Sequence, residues 1–198
     1  SGVMRNFSES CQRNQTVIFE QLQPWLQNAS QALEIGSGSG QHAHFFCQHL
    51  PTLQWQCTDR TEWLAGLQEN IAAMNLRNIS AAIELDVNNM WPDKAYDLIY
   101  TANSLHIMSW QSVNNLFSNL SEHLQPQGFF CCYGPMKYQQ KFTSDSNANF
   151  DLWLKSRDVE SGIRDFEALQ KLADKQNLIL IKDINMPANN QLLIWQKQ

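Results

Sequence analysis

Short apolar runs alternate with amphipathic helical patterns along most of the chain, and this alternation restricts the possible folds more than any other feature. Strands are predicted at seven apolar runs: Gln31–Ile35, Leu53–Cys57, Ser80–Leu85, Tyr96–Tyr100, Phe129–Tyr133, Leu178–Ile184 and Gln191–Trp195. Helices are predicted from residues at helical spacing within Cys11–Leu26, Trp63–Met74, Val113–Leu124 and Ile163–Leu172. Strands that alternate with helices are joined by right-handed crossovers, so we predict an α/β fold with a mostly parallel sheet.

The last two apolar runs depart from this alternation. Only the segment Asn185–Asn190 separates them, which is too short to hold a crossover helix. Two strands joined by so short a connection pair antiparallel. The sequence therefore predicts a seven-stranded sheet with helices on both faces and an antiparallel C-terminal hairpin.

The length of 198 residues favours a single domain over residues 1–198. Ser1 and Gly2 precede Met4 and are expected to be a remnant of an expression vector. Residues 134–161 carry the weakest periodicity and are predicted to be an insertion or loop, which at this length is usually either functional or mobile.

Charge and cysteine content exclude several classes of function. The net charge of −5 offers no general attraction for nucleic acid or anionic lipid, and no apolar run is long enough to cross a bilayer. No signal peptide is expected from the sequence, and the five cysteines form no C-x-x-C motif. We therefore expect buried, reduced thiols and a cytoplasmic location.

A glycine-rich stretch, "LEIGSGSGQHA" at residues 33–43, follows the first predicted strand directly. Glycine permits positive φ and has no Cβ, so a ligand can lie against the peptide planes of Gly36, Gly38 and Gly40. Ligands of doubly wound sheets bind beyond the carboxyl ends of the strands. A flexible linker is the alternative, but the run lies tightly between a strand and a helix. We therefore predict a ligand site here.

A dinucleotide site fits this stretch poorly. Starting from Gly36, the third glycine of G-x-G-x-x-G falls on Gln41. Starting from Gly38, "GSGQHA" fits the variant ending in alanine, but it begins two residues beyond the strand. Because this second match is only partial, an NAD-type oxidoreductase is the weaker interpretation and is kept as an alternative function.

Two acids lie at the ends of the following strands. Asp59 ends the second strand, where a carboxylate can accept both hydroxyls of a ribose, although NAD sites place an acid there too. Asp86 follows the third strand and can accept from an adenine amino group beside Val87. Its alternative role is that of a strand-end or helix-cap acid.

The run E-x-G-x-G-x-G from Glu34 to Gly40 resembles the first motif of class I methyltransferases, which bind S-adenosylmethionine. The hairpin ending is similar to the end of their Rossmann-like sheet. The resemblance implies S-adenosyl-L-methionine as cofactor, S-adenosyl-L-homocysteine as product, and in-line methyl transfer to an unidentified small molecule. The cofactor-binding residues expected on this basis are Glu34, Gly36, Ser37, Gly38, Gly40, Asp59, Arg60, Asp86, Val87, Ala102 and Asn103.

Further segments resemble one bacterial and animal family within that superfamily, which includes methyltransferase-like protein twenty-six and is mostly uncharacterised. The matching segments are "LPTLQWQCTD" (50–59), "ANSLHI" (102–107), "SNANFD" (146–151), "RDVESGIRDFE" (157–167) and "MPANN" (186–190). Ser161 stands where that family usually has tryptophan. The opening segment keeps Arg13 and Asn14 but lacks the family's small, proline-containing lead-in. The resemblance therefore implies fold and cofactor and leaves the substrate open.

The candidate catalytic residues are His106, Asn103 and Tyr133. Ala102 and Asn103 end the fourth strand and are expected to face the sulfonium, with Asn103 orienting the acceptor or the methionine amine. His106 follows one turn later and is the candidate general base, because an ordinary histidine pKa lies near working pH. Its alternative is a partly buried structural histidine. No metal is predicted, since His42 and His44 are two residues apart and point to different faces of a helix.

An acceptor pocket is expected over the tip of the fifth strand and the segment after it. The candidate substrate-binding residues are Arg13, Asn14, Tyr133, Asn147, Phe150, Asp151, Arg157, Arg164 and Asn189. The two later arginines can hold a carboxylate or phosphate through paired hydrogen bonds. Alternatively, they pair with Asp158 and Asp165 and fix the local structure. Asn189 either reaches the pocket or belongs only to a turn.

Three functions follow from these observations. The leading one is an S-adenosylmethionine-dependent methyltransferase whose partner is a small molecule, with no nucleic acid and no membrane. The alternatives are an NAD-type oxidoreductase and a cofactor-binding regulatory protein without turnover. The sequence leaves open whether the chain is a monomer or a homodimer.

Overall fold

The computed structural model of the protein describes residues 3–198, so Ser1 and Gly2, the predicted vector remnant, lie outside the described residues. The α-helices are α1 (Glu9–Leu22), α2 (Gln41–His49), α3 (Thr61–Met74), α4 (Trp110–Ser118), α5 (Leu120–His123), α6 (Asp145–Arg157) and α7 (Phe166–Asp174). The strands are β1 (Gln31–Glu34), β2 (Gln54–Asp59), β3 (Ile79–Glu84), β4 (Tyr96–Ala102), β5 (Leu124–Gly134), β6 (Met136–Tyr138), β7 (Lys141–Phe142), β8 (Arg164–Asp165), β9 (Leu178–Met186) and β10 (Asn190–Lys197).

Seven strands form the main sheet in the order β3-β2-β1-β4-β5-β10-β9. β1 pairs parallel with β2 and with β4, and β2 pairs parallel with β3. The predicted α/β fold with a mostly parallel sheet is thus confirmed. Among the helices of residues 3–198, none combines the length and the apolar character that spanning a membrane requires.

The predicted C-terminal hairpin is also confirmed. β10 is antiparallel to β9 on one side and to β5 on the other, so the last strand is inserted between them. A single 3-10 turn, Pro187–Asn189, connects β9 to β10. Ala188 and Asn189 adopt left-handed backbone conformations in this turn, each with φ of 59°.

By their internal packing, the residues form two compact units. Of the described residues, the first unit contains 3–92 together with Tyr96–Tyr100. The second unit contains Asp93–Ala95 together with Thr101–Gln198.

Aromatic side chains fill the core of each unit. In the first, Phe46 of α2 lies edge-on to Trp55 and to Tyr100, with ring centroids 5.6 Å and 5.5 Å apart. In the second, Phe130 of β5 stacks on Trp195 of β10 at 5.9 Å. These large buried rings supply much of the apolar area that stabilises each unit.

Helix boundaries differ from the sequence expectation where a backbone feature interrupts the periodic pattern. The first helix is predicted to reach Leu26, but α1 ends at Leu22 and a 3-10 turn containing Pro24 follows. Proline lacks the N–H that would continue the helix. The helix predicted to end at Leu124 is broken at Asn119 into α4 and α5.

Residues 134–161, predicted to be the least regular part of the chain, contain β6, β7 and the 13-residue helix α6. The prediction of an irregular loop was wrong because α6 buries polar residues. Its buried positions are Asn147, Asp151 and Leu154, spaced four and three residues apart, and two of them are hydrophilic. A search for apolar periodicity cannot find such a helix.

Candidate functional site

The glycine-rich loop of the first unit connects β1 to α2. Gly36, Gly38 and Gly40 have φ values of 69°, 60° and 81°, a region that disfavours residues with a Cβ. A Cβ on Gly40 would lie 3.1 Å from Met74 Cε and would have to displace the end of that side chain. A Cβ on Gly38 would meet no atom of the described residues within 4 Å. The Cβ position of Gly38 therefore faces open space.

Asp59, the last residue of β2, holds this loop. Its Oδ2 accepts a hydrogen bond of 2.7 Å from the N–H of Gly38, and its Oδ1 accepts one of 2.8 Å from the N–H of Arg60. Burial raises the pKa of the Asp59 carboxyl, whereas the two backbone donors act in the opposite direction. The sequence predicted a ribose-binding acid here and missed its contact with the loop.

The loop is also tied to β2 through Ser37 and Thr58. The N–H of Ser37 donates to Thr58 O at 2.7 Å, and its hydroxyl accepts from the N–H of Thr58 at 3.0 Å. The Thr58 hydroxyl donates to Glu34 O at 2.6 Å. These short bonds fix the backbone before any ligand binds, which limits the reorganisation that binding requires.

Glu34 lies beneath the loop and is buried. Its Oε1 accepts a hydrogen bond of 3.1 Å from Trp55 Nε1. Burial raises the pKa of Glu34 to about 7, although hydrogen bonds from Ser37 and Trp55 lower it. Glu34 therefore stabilises the loop from its inner side, and its predicted contact with a cofactor stays a prediction.

The segment before α1 contacts the same loop, which the sequence did not reveal. Asn6 Nδ2 donates to Gly38 O at 3.2 Å. Asn70 Nδ2 donates to Ser39 O at 2.8 Å and to Arg5 O at 2.7 Å, linking the segment, the loop and α3. The sequence contains many Asn and Gln residues, and this is its one indication that side-chain amides bind backbone carbonyls. It does not indicate which residues make these bonds.

Asp86 lies two residues beyond β3. Its Oδ1 accepts from the N–H of Asn88 at 2.9 Å, so this acid after the strand end caps a turn. Its Oδ2 lies 4.0 Å from Nε of the exposed Arg60. Val87 is buried, and its carbonyl accepts from Trp91 Nε1 at 3.1 Å. A contact of these residues with adenine stays a prediction.

Asn14 and His42 form a buried pair between α1 and α2. His42 Nε2 lies 2.7 Å from Asn14 Oδ1, and His42 Nδ1 lies 2.9 Å from the Tyr100 hydroxyl. Burial lowers the pKa of His42 to about 4, so the ring is neutral at pH 7. Asn14 thus has a structural partner. Arg13, its neighbour, is exposed and contacts Ser10 at 3.3 Å.

In the second unit, Asn103 and His106 come together near the end of β5. A Cβ built on Gly134 would lie 3.6 Å from His106 Nδ1 and 3.7 Å from Asn103 Oδ1. Asn103 follows Ala102 at the end of β4 and has a left-handed φ of 54°. Its N–H donates to Tyr133 O at 2.8 Å. Residues held in such sparsely populated conformations cluster at functional sites.

His106 is buried and neutral. Its ring packs edge-on against Phe150, with the ring centroids 5.4 Å apart. Burial lowers the pKa of His106 to about 4, and the positive charge of Arg164 lowers it further. This environment fits both sequence hypotheses, a buried structural histidine and a neutral imidazole that can accept a proton or a hydrogen bond.

Tyr133 lies on the other face of β5. Successive residues of a strand point to opposite faces, so Tyr133 points away from the face on which Gly134 meets His106. The Tyr133 hydroxyl accepts a hydrogen bond of 3.0 Å from Asn190 Nδ2. The catalytic role predicted for Tyr133 therefore stays a prediction that this placement does not support.

The two later candidate arginines, Arg157 and Arg164, have partners that the sequence did not suggest. Arg164 donates to three backbone carbonyls, those of Leu105 at 3.1 Å, Met108 at 2.5 Å and Glu160 at 2.9 Å. The guanidinium carbon of Arg157 lies 4.9 Å from the ring centroid of Trp153. Arg164 therefore contacts backbone carbonyls instead of Asp165, the partner that the sequence analysis gave as an alternative.

The remaining candidates stabilise α6 and its neighbours. Asp151 Oδ1 accepts from the N–H of Ile163 at 2.8 Å, and its Oδ2 pairs with Lys155 Nζ at 2.8 Å. Asn147 Nδ2 donates to Asn189 O at 3.0 Å. Asn147 and Asn189, which the sequence grouped, are therefore in direct contact.

Residues 3–198 contain neither a group of metal-binding side chains nor a disulfide bond. No group of three or more His, Cys, Asp and Glu side chains in this range could hold a metal ion. The cysteines are all free thiols, and four of them are buried: Cys47, Cys57, Cys131 and Cys132.

Solved structures with a similar fold are methyltransferases. An O-methyltransferase family protein from Burkholderia thailandensis has a TM-score of 0.78 and 14% identity over 93% of this chain and 58% of that protein. Human N-acetylserotonin methyltransferase in complex with SAM has a TM-score of 0.81 and 15% identity over 96% of this chain and 53% of that protein. The S-adenosylmethionine-dependent methyltransferase SibL, in its apo form, has a TM-score of 0.79 and 16% identity over 95% and 55%.

Such low identities establish the fold alone. The chain spans between half and three fifths of the length of these proteins. Its sequence also matches a family profile described as "Protein of unknown function (DUF938)" over residues 5–197. The chain therefore belongs to the DUF938 family and has the fold of the class I S-adenosylmethionine-dependent methyltransferases.

Proposed function

We propose that the protein is an S-adenosylmethionine-dependent methyltransferase that acts on a small molecule. The observation that carries this proposal is the open space at the Cβ position of Gly38, beyond the carboxyl end of β1, where the buried carboxylate of Asp59 holds the Gly38 N–H. The methyltransferase fold of the whole chain supports the same function.

The residues of the loop fit this cofactor. The Gly38 backbone offers a surface that a Cβ would fill. A carboxylate has about four lone-pair positions, so Asp59 can accept from ribose hydroxyls in addition to its two backbone donors. Asp86 and Val87 follow β3 and are the residues proposed to contact the adenine. The Nε atom of Arg60 lies 4.0 Å from Asp86 Oδ2. When bound, S-adenosylmethionine supplies a methyl group already activated on a sulfonium.

With an activated donor, the protein contributes mainly by orienting the acceptor. Asn103 and His106 are the side chains proposed for this role. Because the pKa of His106 is about 4, its imidazole is neutral at pH 7 and accepts a hydrogen bond from the acceptor. A base with so low a pKa suits a role in orienting the acceptor. It can also take up the proton of an acceptor that is itself acidic.

The competing NAD function is disfavoured by the start of α2. A pyrophosphate binds to unpaired N–H groups at a helix N-terminus. Here the N–H of Gly40 donates to Ser37 O at 2.9 Å, and the N–H of Gln41 donates to Ser39 Oγ at 3.1 Å. The loop itself uses these donors, which supports a ligand without phosphates.

We also propose that the chain is related to the family of methyltransferase-like protein twenty-six, on the motifs quoted above. Free thiols support a reducing, cytoplasmic location. The proposal includes no nucleic-acid partner, and the oligomeric state is either monomer or homodimer.

Calorimetric titration tests the cofactor. We expect S-adenosylhomocysteine to bind and NADH not to bind. Gly38→Val should abolish the binding of S-adenosylhomocysteine by placing a branched side chain in the open space. Asn75→Val is the matched control, because Asn75 has nearly the same φ, 56°, at the exposed end of α3. Equal affinities in the two variants, or tighter binding of NADH, would contradict the proposed site.

A turnover assay with S-adenosylmethionine and a metabolite library tests catalysis. Methyl transfer to at least one small molecule is the expected result. Binding of S-adenosylhomocysteine without any transfer would favour the regulatory alternative, in which the cofactor site serves no reaction.

A further inference from the structure

We propose that the methyl acceptor is recognised in an open polar pocket beside the β9–β10 turn, and that this acceptor carries an amine. The pocket has a volume of about 530 Å³ and is lined by Tyr138, Thr143, Asp183, Asn185, Met186, Asn189 and Gln191. Pockets for small ligands measure roughly 300–1,000 Å³. The assignment of the occupant as a methyl acceptor rests on the proposed function, whereas the preference for an amine rests on the pocket alone.

Strand register places this pocket on the same face of the sheet as His106. Gln191 of β10 lies opposite Gly134 of β5 and opposite Asn185 of β9. Directly opposed residues of antiparallel strands point to the same face. Gly134 is also the position at which a Cβ would lie 3.6 Å from His106 Nδ1. The pocket and the proposed orienting residue are therefore neighbours across position 134.

A carboxylate determines the charge preference of the pocket. Asp183 Oδ2 accepts from the Tyr138 hydroxyl at 2.6 Å, and Asp183 Oδ1 accepts from Gln191 Nε2 at 2.7 Å. Within residues 3–198, no Lys, Arg or His lines this pocket. Lys182 directly precedes Asp183 on β9 and therefore points to the opposite face. The exposed carboxylate thus attracts an ammonium group and repels an anion.

Neutral groups complete the recognition surface. Asn185 Oδ1 accepts from Gln191 Nε2 at 2.9 Å, which orients the Asn185 amide and leaves its Nδ2 to donate to a ligand. Thr143 Oγ1 accepts from Asn147 Nδ2 at 3.2 Å, which leaves its hydroxyl proton to donate. These donors suit hydroxyl or carbonyl oxygens. The ligand class is therefore a small amine that also carries such oxygens.

The turn beside the pocket is held in a strained conformation. Ala188 has φ of 59° and ψ of 35°, which is unfavourable for a residue with a Cβ. Asn147 of α6 fixes the turn by donating to Asn189 O at 3.0 Å. Strain of this kind persists where the surroundings enforce it and is enriched at ligand sites.

Nuclear magnetic resonance of the whole chain can test this pocket directly. The side-chain amides of Asn185, Asn189 and Gln191 report binding at the pocket, and the backbone amides of Gly36 and Gly38 report cofactor binding. The probes form two size-matched series: glucosamine, glucose and glucuronate, and tyramine, tyrosol and 4-hydroxyphenylacetate. Each series contains an amine, a neutral alcohol and a carboxylate.

In each series we expect the amine to shift the three side-chain amides with a dissociation constant at least tenfold lower than that of the carboxylate. A factor of about ten follows from one charge-assisted hydrogen bond. Equal or tighter binding of the carboxylates would overturn the proposal. So would the absence of any shift at these amides with all six probes at millimolar concentration.

Asp183→Asn should remove the preference for the amine over the alcohol, since it keeps the shape and deletes the charge. Asp93→Asn, which makes the same change at an exposed acid outside the lining, should leave the preference intact. If Asp183→Asn fails to fold, the charge series on the unaltered protein still decides. Shifts of Gly36 and Gly38 with S-adenosylhomocysteine test the cofactor site independently, so either proposal can fail alone.

Discussion

Asp59 Oδ2 and the N–H of Gly38 are joined by a hydrogen bond of 2.7 Å, which links the acid at the end of β2 to the open position of the glycine loop. The acid expected to bind a ribose therefore also sets the backbone against which the ligand would lie. Changes at either residue should affect the other, so their effects on affinity should be non-additive.

Asp59→Asn should weaken the binding of S-adenosylhomocysteine at least tenfold. The substituted amide has one acceptor where the carboxylate has two, so it cannot serve both Gly38 and Arg60. Loss of a charge-assisted hydrogen bond corresponds to about 1.5–3 kcal/mol. Calorimetry measures the affinity, and Glu62→Gln is the control, because Glu62 is a nearby acid whose Oε1 lies 3.2 Å from Arg60 Nε. Equal losses in both variants would refute a specific role for Asp59.

Gly38→Ala and Gly40→Ala should separate binding from stability. Both have positive φ, so each substitution introduces backbone strain of about 1–2 kcal/mol. Only the Cβ on Gly40 also presses on Met74, at 3.1 Å, and on Leu67, at 3.3 Å. Chemical denaturation should show the larger loss of stability for Gly40→Ala. Relative to the stability that each variant loses, titration with S-adenosylhomocysteine should show the larger loss of affinity for Gly38→Ala. The reverse order would contradict the assignment of open space to Gly38.

Glu34 should make the stability of the protein depend on pH. Its pKa is raised from 4.5 to about 7 by burial, so the folded state retains a proton that the unfolded state releases. This contribution to stability is complete below pH 4.5 and is lost as the pH rises through 7, by about 3 kcal/mol in total. Glu34→Gln, which has no carboxyl proton, should therefore lose less stability than the unaltered protein between pH 5 and pH 8. Urea unfolding at several pH values measures the difference.

Much of the fold follows from the sequence because its main determinants are local. The strand β1, the glycine run and the short C-terminal connection were predicted from apolar patterns and connection length, and the structure has all three. The helix α6 was missed because its buried face carries Asn147 and Asp151. Those side chains are satisfied by partners distant in sequence, Asn189 and Ile163, which no periodicity encodes.

The site was predicted less completely than the fold for the same reason. Residue type and position led to Asp59 and to His106, but not to the hydrogen bond of Asp59 with Gly38 or to the contact of Asn6 with the same glycine. Tyr133 was grouped with His106 because both lie near strand ends. Strand alternation around Gly134 places the two side chains on different faces, and this depends on the exact register.

His106 should remain neutral through the physiological range. Its pKa is lowered from 6.5 to about 4, so its contribution to stability is complete above pH 6.5 and is lost as the pH falls toward 4. Nitrogen-15 resonance of the imidazole, assigned by its loss in His106→Gln, should show no titration between pH 5.5 and pH 8. A midpoint near 6.5 would disprove the buried, neutral assignment. His106→Gln should also lower kcat about tenfold or more if the imidazole orients the acceptor.

Asn103 should affect methyl transfer through its side chain and stability through its backbone, and two substitutions can separate these effects. Asn103→Gly suits the left-handed φ of 54°, so the free energy of unfolding should change by less than about 1 kcal/mol. Asn103→Ala should destabilise the protein by about 1–2 kcal/mol, since its Cβ is unfavourable there. Both variants lack the carboxamide beside His106, so both should lose methyl transfer to the same extent, measured with an acceptor found in the library assay. Asn75→Gly, the same change at a φ of 56° on the exposed end of α3, should leave transfer unaltered. If Asn103→Gly retains full activity, the Asn103 side chain has no part in orienting the acceptor, and its conformation serves only the turn after β4.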